Sequence, residues 1–266
     1  MHNQYKGKVL TIAGSDSSGG AGIQADIKTI TMLGCYAASC ITSVTVQNTL
    51  KIHAIHNIPP NIISEQINAI MSDIEIDAIK IGMLPNYNTI KEVAASITKN
   101  IPIIFDPVMI STSGFNLVEH NTVDSLIKIL FPKITLITPN IQEAETIINK
   151  KINTLEDIIN ASKIIASFGV KNVLIKGGHL PNKLINNIVL TENNEIFNFQ
   201  HLRIFKGNLH GTGCTLSSAI ASFMSQKLSI KESIQRSIDY LIKTINVIPR
   251  IGNGFNPVFH NYNITK

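Results

Sequence analysis

The chain has 266 residues, 44% hydrophobic and only 15% charged, which describes a globular chain with ample core. No apolar run approaches the roughly 20 residues that span a bilayer and no signal peptide opens the chain, so a soluble cytoplasmic protein without membrane partners is expected. The net charge of +5 comes from dispersed lysines with no tryptophan and no aromatic and basic interleaving, which argues against nucleic acid and suits an anionic small molecule; Cys35, Cys40 and Cys214 have neither disulfide-framework nor zinc spacing.

Lys8 to Ala13 reads as a first strand, followed by the loop Gly14 to Gly22 and a helix with Ile23, Ile27, Ile30 and Leu33 at helical spacing. Gly20-Ala21-Gly22-Ile23-Gln24-Ala25 has the form of a dinucleotide fingerprint. Against that reading, the loop is longer than the tight turn required, and no Asp or Glu lies between Asp26 and Glu65 to hold a ribose. A Walker A loop is absent as well.

The run from Tyr36 to Val46 predicts a second buried strand, tipped by Gln47-Asn48-Thr49, and Pro59-Pro60 opens a helix carrying Ile62, Ile63, Ile67 and Ile70. A strand from Asp77 to Ile81 closes in Gly82-Met83-Leu84. A helix over 88–98 leads to the strand Ile101 to Phe105, closed by Asp106-Pro107-Val108. A helix around Leu117 to Leu130 leads to Ile134 to Thr138, closed by Pro139-Asn140, and a helix over 154–168 leads to Val173 to Ile175, closed by Lys176-Gly177-Gly178-His179. The runs 185–191 and 195–199, joined through Asn193-Asn194, predict an antiparallel hairpin at a sheet edge. Two helices follow, over 213–226 and 229–248. This alternation argues an α/β fold with a mostly parallel central sheet and helices on both faces, and without a linker or repeat residues 1–266 read as a single domain.

Ahead of the first of those two helices stands His210-Gly211-Thr212-Gly213-Cys214. Free backbone N–H groups at a helix opening form an anion hole, here over Gly211, Thr212 and Gly213, and a thiol in that place is expected to have its pKa lowered toward thiolate. The other reading is a tight turn capping a core helix with a small buried thiol. Asp16, Gln47, Met83, Asp106, Asn140 and Lys176 each end an apolar run, and parallel strands bring such tips to one rim. Taken singly, each is most often a turn residue. Taken together they divide a phosphoryl transfer among them. Lys176 is a mobile point charge for phosphate, and Asp106 and Glu143, the latter one helical turn after Asn140, are hard oxygen donors for Mg2+ through water. Gln47 suits the edge of a heterocycle, Met83 and Val108 supply apolar walls, and Cys214 is the base.

In these blocks the sequence resembles the hydroxymethylpyrimidine/phosphomethylpyrimidine kinases of thiamine biosynthesis, within the ribokinase-like superfamily. The likeness is carried nearly end to end by Leu10 to Asp16 with Ser18 to Asp26, Gln47-Asn48-Thr49, Lys80 to Leu84, Asp106 to Met109, Thr138-Pro139-Asn140 with Glu143-Ala144, Lys176 to Leu180, and His210 to Ser217. The resemblance implies a three-layer α/β/α ribokinase-like fold without a large lid domain, commonly a homodimer. It also implies two transfers from ATP with Mg2+, first to 4-amino-5-hydroxymethyl-2-methylpyrimidine and then to its monophosphate. By matching position, Gly14, Ala21, Asp26, Gln47, Met83 and Val108 would shape the pyrimidine pocket, and Cys214 would replace the aspartate base of the sugar kinases.

Three positions depart from the usual pattern: Ala37 for a glycine, Asn187 for an aspartate, and Asn256 for a third glycine near the C-terminus. The nearest rival is a pyridoxal kinase of the same superfamily. Rivals from other classes are a non-catalytic nucleotide-binding protein and a redox protein using Cys214, the latter opposed by the lack of a resolving thiol.

Overall fold

The computed structural model describes residues 5–110, 114–115, 117–119, 122–179, 183–204, 209–247 and 250–264. From the N-terminus the elements are β1 (Lys8–Asp16), α1 (Gly22–Met32), β2 (Tyr36–Gln47), β3 (Ile52–Asn57), α2 (Pro60–Asp73), β4 (Ala78–Ile81), α3 (Tyr87–Ser96), β5 (Ile103–Phe105) and α4 (Thr122–Ser125). Next come β6 (Leu136–Ile137), α5 (Ile141–Ile148), α6 (Leu155–Ser167), β7 (Asn172–Lys176), β8 (Leu184–Leu190), β9 (Ile196–Leu202), β10 (Leu209–His210), α7 (Thr212–Ser225), α8 (Ile230–Asn246) and β11 (Asn256–Pro257).

The main sheet has the order β3-β2-β1-β4-β5-β6-β7-β8-β9, parallel from β2 to β7 and antiparallel at both edges. Its inner strands are continuous apolar runs because both faces are covered. Ile103, Phe105, Val173 and Ile175 pack into one core with α2, α3, α5 and α6, while the alternate residues Ile104 and Leu174 pack into a second core with α1, α7 and α8. These are the three layers. The chain leaves β1 for β2 on one side and returns to β4 on the other, so β1 and β4 flank the switch point, where ligands of open α/β sheets sit.

Several bounds differ from the expectation. β1 runs on to Asp16, so the first loop is shorter than predicted. β3 was not expected: Ile-His-Ala-Ile-His-Asn is mostly exposed and shows little apolar signal, and it forms because the β2 edge offers unpaired backbone groups. The helix predicted from Leu117 begins at Thr122 among the described residues, since the Leu117 N–H is bonded to Met109; it then passes into a π turn over Leu126–Leu130. α7 opens at Thr212, and α8 ends at Asn246, with position 248 outside the described residues. α5 is set by a capping box: Asn140 Oδ1 accepts from the Glu143 N–H at 2.9 Å, and Glu143 Oε2 accepts from the Asn140 N–H at 2.7 Å. β10 and β11 form a short parallel pair that was not foreseen, with Asn256 opposite Leu209.

Candidate active site

Two glycine turns meet at the carboxyl end of β1. A side chain at Gly22 would strike the Gly14 carbonyl, and one at Gly211, which has φ of +85°, would strike the Gly20 carbonyl. Only glycine lets the turn before α1 and the turn before α7 lie this close, and the two helix openings therefore face a common space. That space is a cavity of about 740 Å³ at the carboxyl ends of β1, β4, β5 and β7.

Among the expected site residues, Gly14, Ala21, Gln47, Met83, Asp106, Val108, Asn140, Glu143, Lys176, Gly211, Thr212, Gly213 and Cys214 all line this cavity. Asp26 does not. It lies wholly buried beneath the floor, where its Oδ2 accepts from Thr11 Oγ1 at 2.6 Å and from Lys80 Nζ at 2.8 Å, and its Oδ1 accepts from Ser218 Oγ at 2.6 Å. In the ligand-free chain its carboxylate is thus taken up by contacts inside the protein, beneath the cavity it was expected to shape. Leu180 of the Lys176 block lies outside the described residues.

At one end of the cavity Asp16 Oδ2 accepts from the Ala21 N–H and from His210 Nε2, both at 2.8 Å, while its Oδ1 accepts from the Ser18 hydroxyl at 2.7 Å. Burial opposes ionisation of this carboxyl, but the bonds from His210, Ser18 and Ala21 outweigh it and hold its pKa down at about 2. Gln47 sits beside this pair, its Nε2 3.2 Å from His210 Nε2 and its Oε1 accepting from Thr45 Oγ1 at 3.1 Å. Gly14 leaves room for Met83, whose sulfur would lie 3.1 Å from a Cβ there.

At the other end Lys176 Nζ donates to Asp106 Oδ1 at 2.8 Å and lies 4.0 Å from Glu143 Oε2. Burial works against the lysine charge, yet the two carboxylates raise its pKa above the usual value. Glu143 goes the other way from a normal ion-pair partner: burial and the Asp106 charge raise it, and Lys176, held closer to Asp106, only partly offsets this. The opening of α7 faces the same charges, with a Cβ at Gly213 falling 3.3 Å from Asp106 Oδ2 and 3.4 Å from Lys176 Nζ. Asn187, one of the departures from the motif, is buried behind them and accepts from the Gly177 N–H at 3.3 Å.

Cys214 lies in the first turn of α7, half-buried, with the Gly22 N–H directed at its sulfur. The expected low pKa is not what the structure shows. Burial pushes the thiol up to about 11; the Lys80 charge and the Gly22 amide favour the thiolate, while Asp26 and Asp106 oppose it. A helix opening favours the thiolate, but here partial burial of the sulfur and the Asp26 and Asp106 charges outweigh that effect. Lys80, buried just behind the cavity wall at Gly82, was not singled out as a site residue. Its signal was a lysine inside the otherwise apolar run Ala78-Ile79-Lys80-Ile81.

A family model described as phosphomethylpyrimidine kinase matches residues 16–259. The hydroxymethylpyrimidine/phosphomethylpyrimidine kinase of Bacillus subtilis is 38% identical over 255 residues, covering 95% of this chain and 94% of that protein. A thiamine biosynthesis bifunctional protein of Geobacter sulfurreducens is 42% identical over 259 residues, which is 96% of this chain and 52% of that protein. The chain spans about half the length of the first curated relatives it matches. Among solved structures, the pyridoxal kinase of Staphylococcus aureus in complex with AMP-PCP and pyridoxal superposes with a TM-score of 0.89 at 29% identity, over 97% of this chain and 95% of that one. The fold is the ribokinase-like α/β/α architecture of these kinases.

Proposed function

The chain belongs to the phosphomethylpyrimidine kinase family, and from that premise we propose that it transfers the γ-phosphoryl group of ATP to 4-amino-5-hydroxymethyl-2-methylpyrimidine and then to the resulting monophosphate. The observation that carries this reading is the convergence in one cavity of an apolar and amide-lined end (Met83, Val108, Gln47), a thiol at a helix opening (Cys214) and a cationic, acidic end (Lys176, Asp106, Glu143). The pyrimidine ring lies at the first end, with Gln47 on its polar edge and Met83 and Val108 against its faces. The hydroxymethyl oxygen attacks the γ-phosphorus, the bond to the bridging oxygen breaks, ADP leaves, and the hydroxyl proton passes to the Cys214 sulfur. The N–H groups of residues 211–214 and the Lys176 ammonium hold the charge on the transferring oxygens.

Asp106 and Glu143 are two hard oxygen donors that share one ammonium, a set that fits magnesium bound largely through water. Asp106 and Glu143 would hold such an ion, which would supply charge neutralisation for the phosphates. Lys176, beside these carboxylates, is the ammonium that reaches the transferring phosphate, and Asn140 with Glu143 keeps the start of α5 in place.

Residues 1–266 are read as one kinase domain, acting as a homodimer in the cytoplasm; no described helix is long and apolar enough to cross a membrane. A second reading, a pyridoxal kinase, is favoured by the close superposition on the S. aureus enzyme. Steady-state assays with ATP and each alcohol separate the two: the pyrimidine is expected to give the higher kcat/KM, and a preference for pyridoxal overturns the first reading. Light scattering on the purified chain reports the oligomer.

A further inference from the structure

Lys80 is a charged residue in the middle of an apolar strand, with its side chain fully shielded from solvent. Ile79 and Ile81 face the layer of α2, α3, α5 and α6, so the pleat turns Lys80 toward α1 and α7. Its cross-strand neighbour on β1, Thr11, lies between Leu10 and Ile12 and faces the same way. Asp26 of α1 meets both. It takes Lys80 Nζ on its two oxygens at 2.9 and 2.8 Å, with the Thr11 and Ser218 hydroxyls completing its shell. Burying such a pair carries a large desolvation cost, and well-packed apolar residues of similar volume would join the layers at least as well. Cohesion alone does not account for it.

Its place in the fold does. Asp26 follows Gly22 by one turn on α1, and Ser218 follows Cys214 by one turn on α7. The Gly22 amide faces the Cys214 sulfur, and the Asp26–Ser218 hydrogen bond is the next rung beneath it. Lys80 lies buried just behind the wall of the cavity that Cys214 and Gly82 line, and the missing side chain of Gly82 makes room for its ammonium: a Cβ there would lie 2.9 Å from Nζ.

We propose that the Lys80 ammonium, clamped by Asp26, is the fixed counter-charge of the Cys214 sulfur and a positioning residue for removal of the substrate hydroxyl proton. This rests on Cys214 being the base. The charges acting on that sulfur are Lys80 from β4 and Lys176 from β7, which favour the thiolate, and Asp26 from α1 and Asp106 after β5, which oppose it. Lys80 is the strongest of the charges that act on the thiol. Lys176 has phosphate to serve, whereas Lys80 is held by both oxygens of Asp26 and stays protonated, its burial outweighed by Asp26, Cys214 and Asp106.

The test is the rate of Cys214 alkylation by iodoacetamide in the ligand-free chain, read on the Cys214 peptide by mass spectrometry between about pH 7 and 9, where rate follows thiolate fraction. Lys80→Gln keeps a donor for Asp26 and removes the charge. It is expected to slow alkylation about tenfold or more and to move the rise of kcat/KM to higher pH by about one unit. A merely structural role would loosen the site and speed alkylation. Alkylation at or above the parent rate in a variant with parent-like circular dichroism overturns the proposal. If Lys80→Gln does not fold, Asp26→Asn combined with Lys80→Met removes the pair together; because this also takes away a charge that opposes the thiolate, a smaller slowing than in Lys80→Gln is expected, and alkylation at or above the parent rate overturns the proposal. The base assignment is checked apart from this: full kinase activity in Cys214→Ala would refute it without bearing on the alkylation result.

Discussion

Lys176 and Asp106 are joined by a 2.8 Å hydrogen bond at the opening of α7, so in the ligand-free chain the cation proposed to serve phosphate is paired with a carboxylate. Lys176→Ala is expected to slow transfer to both the alcohol and the monophosphate by roughly 10²-fold or more, because it removes charge stabilisation of the transferring group. Lys176→Arg should recover little, since a planar fork does not replace a compact ammonium beside Gly177 and Gly213. Single-turnover transfer from ATP with each acceptor is the measurement; parent rates in the Ala variant would make Lys176 a structural partner of Asp106 only.

Cys214→Ala separates the two transfers. The alcohol must lose a proton as it attacks, whereas a phosphate monoester with its second pKa near 6 is already mostly dianionic at about pH 7.5. Loss of the base is therefore expected to lower kcat for the alcohol by about 10²-fold or more and to affect the monophosphate much less. Equal losses for both acceptors would mean that the thiol shapes the anion hole and takes no proton.

Gln47 is placed beside the Asp16–His210 pair at the end of the cavity assigned to the ring. Gln47→Leu leaves a polar edge of the substrate unpaired, so KM for the pyrimidine should rise with little change in KM for ATP. A parallel rise in both constants would show that the side chain chiefly braces the turn at the end of β2.

Asp16 links acid stability to the site. Its folded-state pKa is depressed from 3.8 to about 2, so its contribution is complete above the unfolded value and is lost as pH falls through that interval. Urea unfolding at about pH 5 and at about pH 2.5 should show the parent losing more stability than Asp16→Asn, which has no carboxyl to protonate. Identical pH slopes for the two proteins would remove Asp16 as the source.

Much of this protein follows from local pattern. The apolar runs ending in Asp16, Gln47, Asp106, Asn140 and Lys176 identify strands whose tips share a rim, because a parallel sheet places all its carboxyl ends on one side. Glycine spacing at Gly20, Gly22, Gly211 and Gly213 marks the two close turns for the same reason, since backbone conformation is a local property. Charge balance and burial are not local. Whether Cys214 is a thiolate depends on how much water the fold leaves around it and on Lys80, Asp26 and Asp106, which arrive from other elements. Asp26 was expected in the pocket from the family resemblance of its motif, and one helical turn beyond Gly22 carries it under the floor to Lys80 and Ser218, a placement that no local pattern states. β3 and the β10–β11 pair exist through backbone partners distant in the chain, which side-chain periodicity does not encode. The sequence by itself determined the strands, the turns and the residue types at the rim; only the tertiary structure decided which charges face one another across the site, because electrostatic energy depends on distance and solvent, and neither is written in sequence order.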